Sequence, residues 1–256
     1  MSWLKWRWLP AILFFLFFLG AWQIVTTSTH VPLWLLPTPT KIALAFWETR
    51  QLIWMHTLTT LLETTLGFTF AVASSLITAG VMVLVPWIKR LLYPFLIISQ
   101  TVPLIAVAPL LILWLGYGLL PKIMIVIIVC YFPVTISLIE GLEITDIDLL
   151  NLLRSMGASR WQIFYLVRWP NALPSLFTGL KIAATYCVMG AVIGEWLGSS
   201  SGLGVYLTRS SHSFLTDRVF AAIFTITALS FIYYALIFFL SRLALPWQYR
   251  KNQDYL

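Results

Sequence analysis

The stretch EITDIDLLNLLRSMGASRWQIFYLVRWPNALPSLFTGLKIA, Glu143–Ala183, decides how the rest of the chain is read. Its local signals predict helix, glycine break, helix. Thr145 can cap a first helix, with Asp148 three residues on as a variant capping box, and Ile147, Leu149, Leu150, Leu152, Leu153 and Met156 supply its apolar face. Gly157 ends it, as a residue free to adopt positive φ should. Ser159 starts the second helix with Gln162 at the capping-box position, and Trp161, Ile163, Phe164 and Val167 give it a large apolar surface before Pro170 and Pro174 stop it. Helices near or below about 12 residues are marginal alone and need something to pack against. The pattern leaves two surroundings open: a groove in a partner protein, or the membrane surface and the chain's own bundle.

Around this segment the composition is that of a chain solvated by lipid. Hydrophobic residues make up 60% and charged residues 10%, against about 25% charged residues in an ordinary soluble domain. Six apolar runs of membrane-crossing length fall at residues 8–26, 61–85, 91–115, 123–139, 172–197 and 219–245, and irregular backbone cannot face lipid, so all should be helices. The expectation is a single all-α membrane domain over residues 1–256, a bundle of about six transmembrane helices with the helix-glycine-helix loop, about residues 145–174, projecting from it. The start, MSWLKWRWLPAILFFLFFLGAW, has a basic head and apolar stretch but no small-x-small cleavage site, and reads as an uncleaved first span.

Under alternation of six spans, Lys5, Arg7, Lys89, Arg90, Arg154, Arg160, Arg168, Arg242, Arg250 and Lys251 fall on one side and Lys41, Arg50, Lys122, Arg209 and Arg218 on the other. The positive-inside rule then places both termini and the loop in the cytosol of a cell-membrane protein. Tryptophans gather near the predicted span ends, as an aromatic belt should. The net charge of +7 is dispersed in ones and twos, which speaks for lipid headgroups and against nucleic acid as the counter-charge.

Two segments depart from plain spans. Between the first two, LLPTPTKIALAFWETRQLIW offers Thr38 as N-cap with Pro39 at the first helical turn, and predicts a short interfacial helix carrying Ile42, Ala43, Ala45, Phe46 and Leu52. The third run is interrupted by Pro94, Pro103 and Pro109, which predicts a kinked helix facing the bundle interior.

The order of residues in RSMGASRWQIFYLVRWPNA, Arg154–Ala172, followed by LPSLFTGLKIA, closely resembles the coupling loop of ABC-importer permeases. The branch it looks most like includes nitrate, sulfonate, taurine and thiamine-precursor importers. In that family a Glu-Ala-Ala triplet opens the loop, a glycine follows and a Leu-Pro pair closes it. Gly157, Leu173 and Pro174 match in register, whereas Asn151, Leu152 and Leu153 occupy the triplet positions. The resemblance extends to LLPTPTKIALAFWE, to TVPLIAVAPLLILWLGYG and to GEWLGSSSGLG, and the run from Lys181 to Ser210 looks closest to permeases for hydroxymethylpyrimidine-type thiamine precursors. It implies a type I fold and a non-catalytic permease without a cofactor. Its partners would be a separate cytosolic ATPase, an extracytoplasmic substrate-binding protein and a second copy of the chain. It assigns ATPase coupling to the loop, at Asn151, Arg154, Gly157, Ala158, Ser159, Trp161, Phe164, Leu173 and Pro174. Consistent with that division, the chain contains no GxxxxGK[ST] phosphate loop.

Ionisable residues inside spans are costly and are functional candidates by default. Glu195, near the outer end of the fifth run, could line a pathway, hold an outer gate or anchor at the interface. Glu63 and Lys181 lie near span ends facing opposite sides and are not expected to pair; Glu63 beside Thr64 and Thr65 could form a bundle-facing polar cluster. Gly190, Gly194 and Gly198 share one helical face, which serves close packing or leaves room for a substrate. Tyr186 and Met189 could meet a planar ring or simply pack. Cys130 and Cys187 lack any ligand spacing, and His30, His56 and His212 fall in predicted outer segments, so neither a metal site nor a catalytic constellation is expected. A secondary transporter and a membrane-embedded enzyme are the rival classes; the first calls for paired repeats or midplane ion sites, the second for a reactive cluster.

Overall fold

The computed structural model of the chain describes residues 9–29 and 31–251. Every regular element in it is a helix, as hydrocarbon solvation requires: α1 Leu9–Ser28, α2 Pro39–Glu48, α3 Arg50–Leu84, α4 Pro86–Ser99, α5 Leu104–Leu115, α6 Leu119–Glu143, α7 Ile147–Ser155, α8 Arg160–Ile163, a π-helical turn Phe164–Arg168, α9 Trp169–Gly198, α10 Leu203–His212, α11 Thr216–Ala244 and α12 Pro246–Lys251. Among the described residues, α1, α3, α6, the α8–α9 unit and α11 are long and apolar enough to cross a membrane. The bent pair α4–α5 makes a sixth crossing if taken as one span. The basic head at Lys5 and Arg7, His30 and the aromatics Trp3, Trp6 and Trp8 lie outside the described residues.

Helix α6 is the hub, packed against α3, α5 and α9, and α9 in turn carries α11. The reason lies in the stripes these helices present. On α3, Gly67, Ala71, Ser75 and Ala79 recur every four residues, all buried. On α6, Val126, Cys130, Val134 and Leu138 do the same. Lipid tails offer no hydrophobic drive for helix association, so small residues that let backbones approach carry it through van der Waals packing. Polar side chains add direct bonds, such as Ser75 Oγ donating to the Tyr131 carbonyl at 3.0 Å.

Three expectations need correction. The third apolar run is not one kinked helix: α4 and α5 meet at 104° across residues 100–103, with Pro103 at the break and Pro94 and Pro109 inside the two arms. Proline cannot donate at the break, and the freed backbone there borders a cavity. The second span begins at Arg50 and runs 35 residues, about 52 Å at 1.5 Å per residue, which exceeds a hydrocarbon core of about 30 Å. His56 lies buried within α3. Pro170 and Pro174 do not stop the loop's second helix: α8 runs through the π turn into α9. The Trp169 N–H bonds back five residues to the Phe164 carbonyl, and Pro170 then falls in the first turn of α9, where a missing N–H is tolerated. The short helix ahead of the second span forms, with Thr38 Oγ1 accepting from Lys41 N at 3.3 Å, Pro39 in its first turn, and Ile42 and Ala45 buried. Leu52 belongs to α3.

At the crossing of α6 on α9, a Cβ added at Gly179 would lie 2.6 Å from the Pro133 carbonyl and 2.8 Å from Ser137 Cβ. Backbone cannot yield there as a side chain could. We expect Gly179→Ala to destabilise the protein by about 1–3 kcal/mol through overpacking. Gly80→Ala, which meets nothing within 4 Å, should leave the unfolding midpoint of the purified protein in detergent unchanged or slightly higher.

Candidate functional site

Three places on the molecule carry chemistry, and α9 touches all of them. The first is the loop. Helix α7 is capped by Asp146, whose side chain accepts from Asp148 N at 2.9 Å; Thr145, the expected cap, is buried with its hydroxyl unpartnered. Aspartate one residue later wins because its carboxylate reaches the free N–H groups of the first turn. The end of α7 is a Schellman turn: Gly157 has φ +84°, its N–H bonds to the Arg154 carbonyl at 3.0 Å, and Ala158 N–H reaches the Leu153 carbonyl at 3.0 Å. Ser159 and Gln162 form the reciprocal capping box, with Ser159 N donating to Gln162 Oε1 at 2.7 Å. Leu150 and Ile163 are buried and fix the two helices to the bundle. Leu152, Met156, Trp161 and Tyr165 stand exposed, together with Asn151 and Arg154, and Trp161 packs edge-on against Phe164 at 6.2 Å. Leu173 and Pro174 lie inside α9 and not in the loop.

The second place is a buried polar cluster at the opposite end of the bundle. Lys122, expected in an outer segment, begins α6 only 7% exposed and donates to Glu63 Oε1 at 2.6 Å and Ser199 Oγ at 2.7 Å. Glu63 is fully buried; Lys181 is not its partner and sits instead over the Phe238 ring at 5.6 Å. Glu195, 1% exposed, accepts from Thr60 Oγ1 at 2.6 Å and from Gly204 N at 2.6 Å. The same threonine oxygen accepts from Leu203 N at 2.9 Å, and His56 Nδ1 accepts from Gly202 N at 2.9 Å. Three side chains, His56 and Thr60 on α3 and Glu195 on α9, thereby satisfy the N-terminal donors of α10. Gly202, at φ +122°, lies against the Glu195 carboxylate where a Cβ would collide with it. The sequence reading found Glu195 and Glu63 but missed Lys122, His56, Thr60 and Gly202. The available signal was chemical: two acids inside spans require a base at their depth, and Lys122 borders the fourth run.

The third place is a cavity of about 590 Å³ at the break between α4 and α5. Tyr186 and Met189 of α9 line it, with Gln100 at the break and Phe132 and Ser137 of α6. None of its lining residues among those described carries a charge. Glu63 and Glu195 lie apart from it in the polar cluster. Gly190 and Gly194 face α6, where a Cβ on Gly190 would meet Val126 at 3.4 Å and one on Gly194 would meet Lys122 and Ile125 at 3.2 Å, the close-packing alternative.

Residues 49–244 match the family described as binding-protein-dependent transport system inner membrane component. The chain is 35% identical over 246 residues to the formylaminopyrimidine transport permease protein ThiX of Halalkalibacterium halodurans, covering 96% of this chain and 97% of that one. It is 32% identical over 229 residues to the riboflavin transport system permease protein RibX of Chloroflexus aurantiacus, covering 89% and 85%. Against the taurine transport system permease protein TauC of Escherichia coli the identity is 30% over 196 residues, covering 76% and 71%.

Removing one partner of a buried ion pair leaves an uncompensated charge. We expect Lys122→Met to cost about 3–5 kcal/mol of stability, and the double variant Glu63→Gln/Lys122→Met to recover most of it. Thermal unfolding of the purified variants in detergent measures both. Equal loss in the single and double variants would mean that the ammonium acts through Ser199 alone.

Proposed function

Because the chain belongs to the binding-protein-dependent transport system inner membrane component family, we propose that this permease imports a thiamine-precursor pyrimidine, working as a homodimer with a cytosolic ATPase and an extracytoplasmic substrate-binding protein. The observation that carries the substrate reading is the uncharged cavity at the α4–α5 break. A neutral planar heterocycle can lie against Phe132 or Tyr186 while the Gln100 amide both donates to and accepts from its edge. A sulfonate or nitrate would call for a guanidinium or ammonium at that place. The relative named for formylaminopyrimidine supports the same reading.

Both termini and the α7–α8 loop then face the cytosol. The loop docks apolar side chains into a groove of the ATPase by the helix-in-groove mode. The Asn151 amide and the exposed Leu152, Met156 and Trp161 form that surface, and Arg154, Gly157, Ala158, Ser159 and Phe164 hold its shape. Movement of the ATPases on binding ATP pushes the loop, and α9 carries the push past Tyr186 and Met189 to Glu195. There the bonds to Thr60 and Gly204 act as an outer gate. Transport is an alternation between two states of the bundle that ATP and the loaded binding protein bias in turn.

Reconstitution of the permease with its ATPase and binding protein in proteoliposomes tests this. We expect ATP-dependent uptake of labelled hydroxymethylpyrimidine or formylaminopyrimidine that exceeds uptake of riboflavin, taurine and nitrate. Uptake that persists without an ATP-hydrolysing subunit would sink the importer reading; preferred uptake of riboflavin or an anion would sink the pyrimidine alone.

At Gly157 a β-branched side chain meets φ +84°, a strain of about 1–3 kcal/mol. Gly157→Val should leave the protein in the membrane but separate ATP hydrolysis from uptake, with Gly157→Ala intermediate. Wild-type coupling in the valine variant would argue against this docking geometry.

A further inference from the structure

Behind the exposed face of the loop lies a pocket of about 340 Å³ that neither the docking surface nor the pathway uses. Arg154 of α7, Arg160 of α8 and Arg168 of the π turn surround it, and its floor is Val83 and Leu84 at the end of α3, Pro86 of α4, and Ile163 and Phe164. No carboxylate lines it. Among the described residues the ion pairs are Lys89–Glu143 and Lys122–Glu63, so the three guanidinium groups converge without a counter-charge. Arg168 Nε is buried and has no hydrogen-bond partner. Three uncompensated cations brought to one place repel one another, and a buried N–H without an acceptor is costly. Both costs are removed by a single anion with several acceptor oxygens.

We infer that this pocket binds the phosphate of an anionic phospholipid headgroup. Planar guanidinium forks match phosphate oxygens in geometry as well as charge. The lipid source, in preference to a free phosphate, follows from the floor: Val83, Leu84, Ile163 and Phe164 are apolar, and Val83 and Leu84 end a membrane-crossing helix. Exposed Trp87 at the start of α4, next to Pro86 of the pocket floor, supplies the aromatic company that headgroup-level sites have. A lipid seated here joins α7 and the π turn to the end of α3. It thereby fixes the back of the loop while the front stays free, and the inference stands independently of what docks on that front.

The test uses the purified, delipidated full-length chain, titrated in detergent with dioleoylphosphatidylglycerol or dioleoylphosphatidylcholine. Lipid retained is counted by native mass spectrometry and the unfolding midpoint is followed in parallel. Each arginine near the headgroups is worth about fivefold in preference for anionic lipid, and all three on the order of 100-fold. We expect Arg168→Gln to lose about fivefold, Arg168→Lys to keep most of the preference, and the triple Arg154→Gln/Arg160→Gln/Arg168→Gln variant to bind the two lipids alike. Arg50→Gln, at the other end of the bundle, should retain the wild-type preference. The proposal is overturned if wild-type protein does not distinguish the two lipids, or if the triple variant distinguishes them as wild type does. It is also overturned if excess inorganic phosphate raises the midpoint as much as phosphatidylglycerol and displaces it, which assigns the pocket to a free anion. If the triple variant loses ATPase association in phosphatidylcholine nanodiscs while its lipid preference is unchanged, the occupant is an acidic side chain of the ATPase and the lipid assignment fails.

Discussion

A charge enclosed by protein finds no water to solvate it, and the bonds of Lys122 to Glu63 and Ser199 are the clearest answer this fold gives to that constraint. The ammonium joins the start of α6 to α3 and to the end of α9. One bond further out, Glu195 and Thr60 fasten the first turn of α10 to the same two helices. An apolar cluster could fill that volume, but it would not fix which turn of α3 faces which turn of α9. Oriented hydrogen bonds do, because each weakens steeply when its distance or angle departs from a narrow range. The register of the hub is therefore set at its polar end, while the small-residue stripe of α3 allows close approach without selecting a register.

That arrangement gives α9 its place in the proposed mechanism. Arg160–Gly198 forms one membrane-crossing unit, with the loop at one end, the cavity wall midway and the Glu195 cluster at the other end. A break at Pro170 would have isolated the loop from the pathway. The π turn prevents this by moving the irregularity ahead of the proline and preserving helix on both sides. The break in the helical framework lies instead in the α4–α5 pair, where residues 100–103 carry no helix and border the cavity. A stiff element beside a broken one is what a rocking bundle needs: the first transmits displacement and the second accommodates it.

Much of this was legible in the sequence, and what was not has a physical cause. The loop's Gly157 turn and the Ser159–Gln162 box are decided within a few residues, so local rules suffice for them. The same holds for Thr38 and Pro39 at α2. The span count also follows from composition, because lipid solvation is a property of whole runs. Depth and partnership are different. Lys122 borders an apolar run, and hydropathy places such a residue at the interface; only the packing of α3 and α9 against α6 reveals that it is enclosed. His56 and Thr60 gain their roles from α10, more than 140 residues later. Likewise, no local rule distinguishes a proline that kinks a span from a break of 104°.

The loop also shows how a departure from a family pattern can be read through its neighbours. Asn151 stands where the resemblance places a glutamate, and an amide cannot offer the partner a charge-assisted bond. Around it Leu152, Met156 and Trp161 are exposed, an apolar surface that costs free energy while uncovered. On the docking proposed above, the contact then draws its strength from covering those side chains, with the amide contributing direction. Such a contact is less sensitive to ionic strength than one centred on a carboxylate, since burial of apolar surface is not screened by salt. Three arginines gather instead around the pocket behind the loop. Apolar front and cationic back are thus two faces of one short element, and the capped turn at Gly157 keeps them apart.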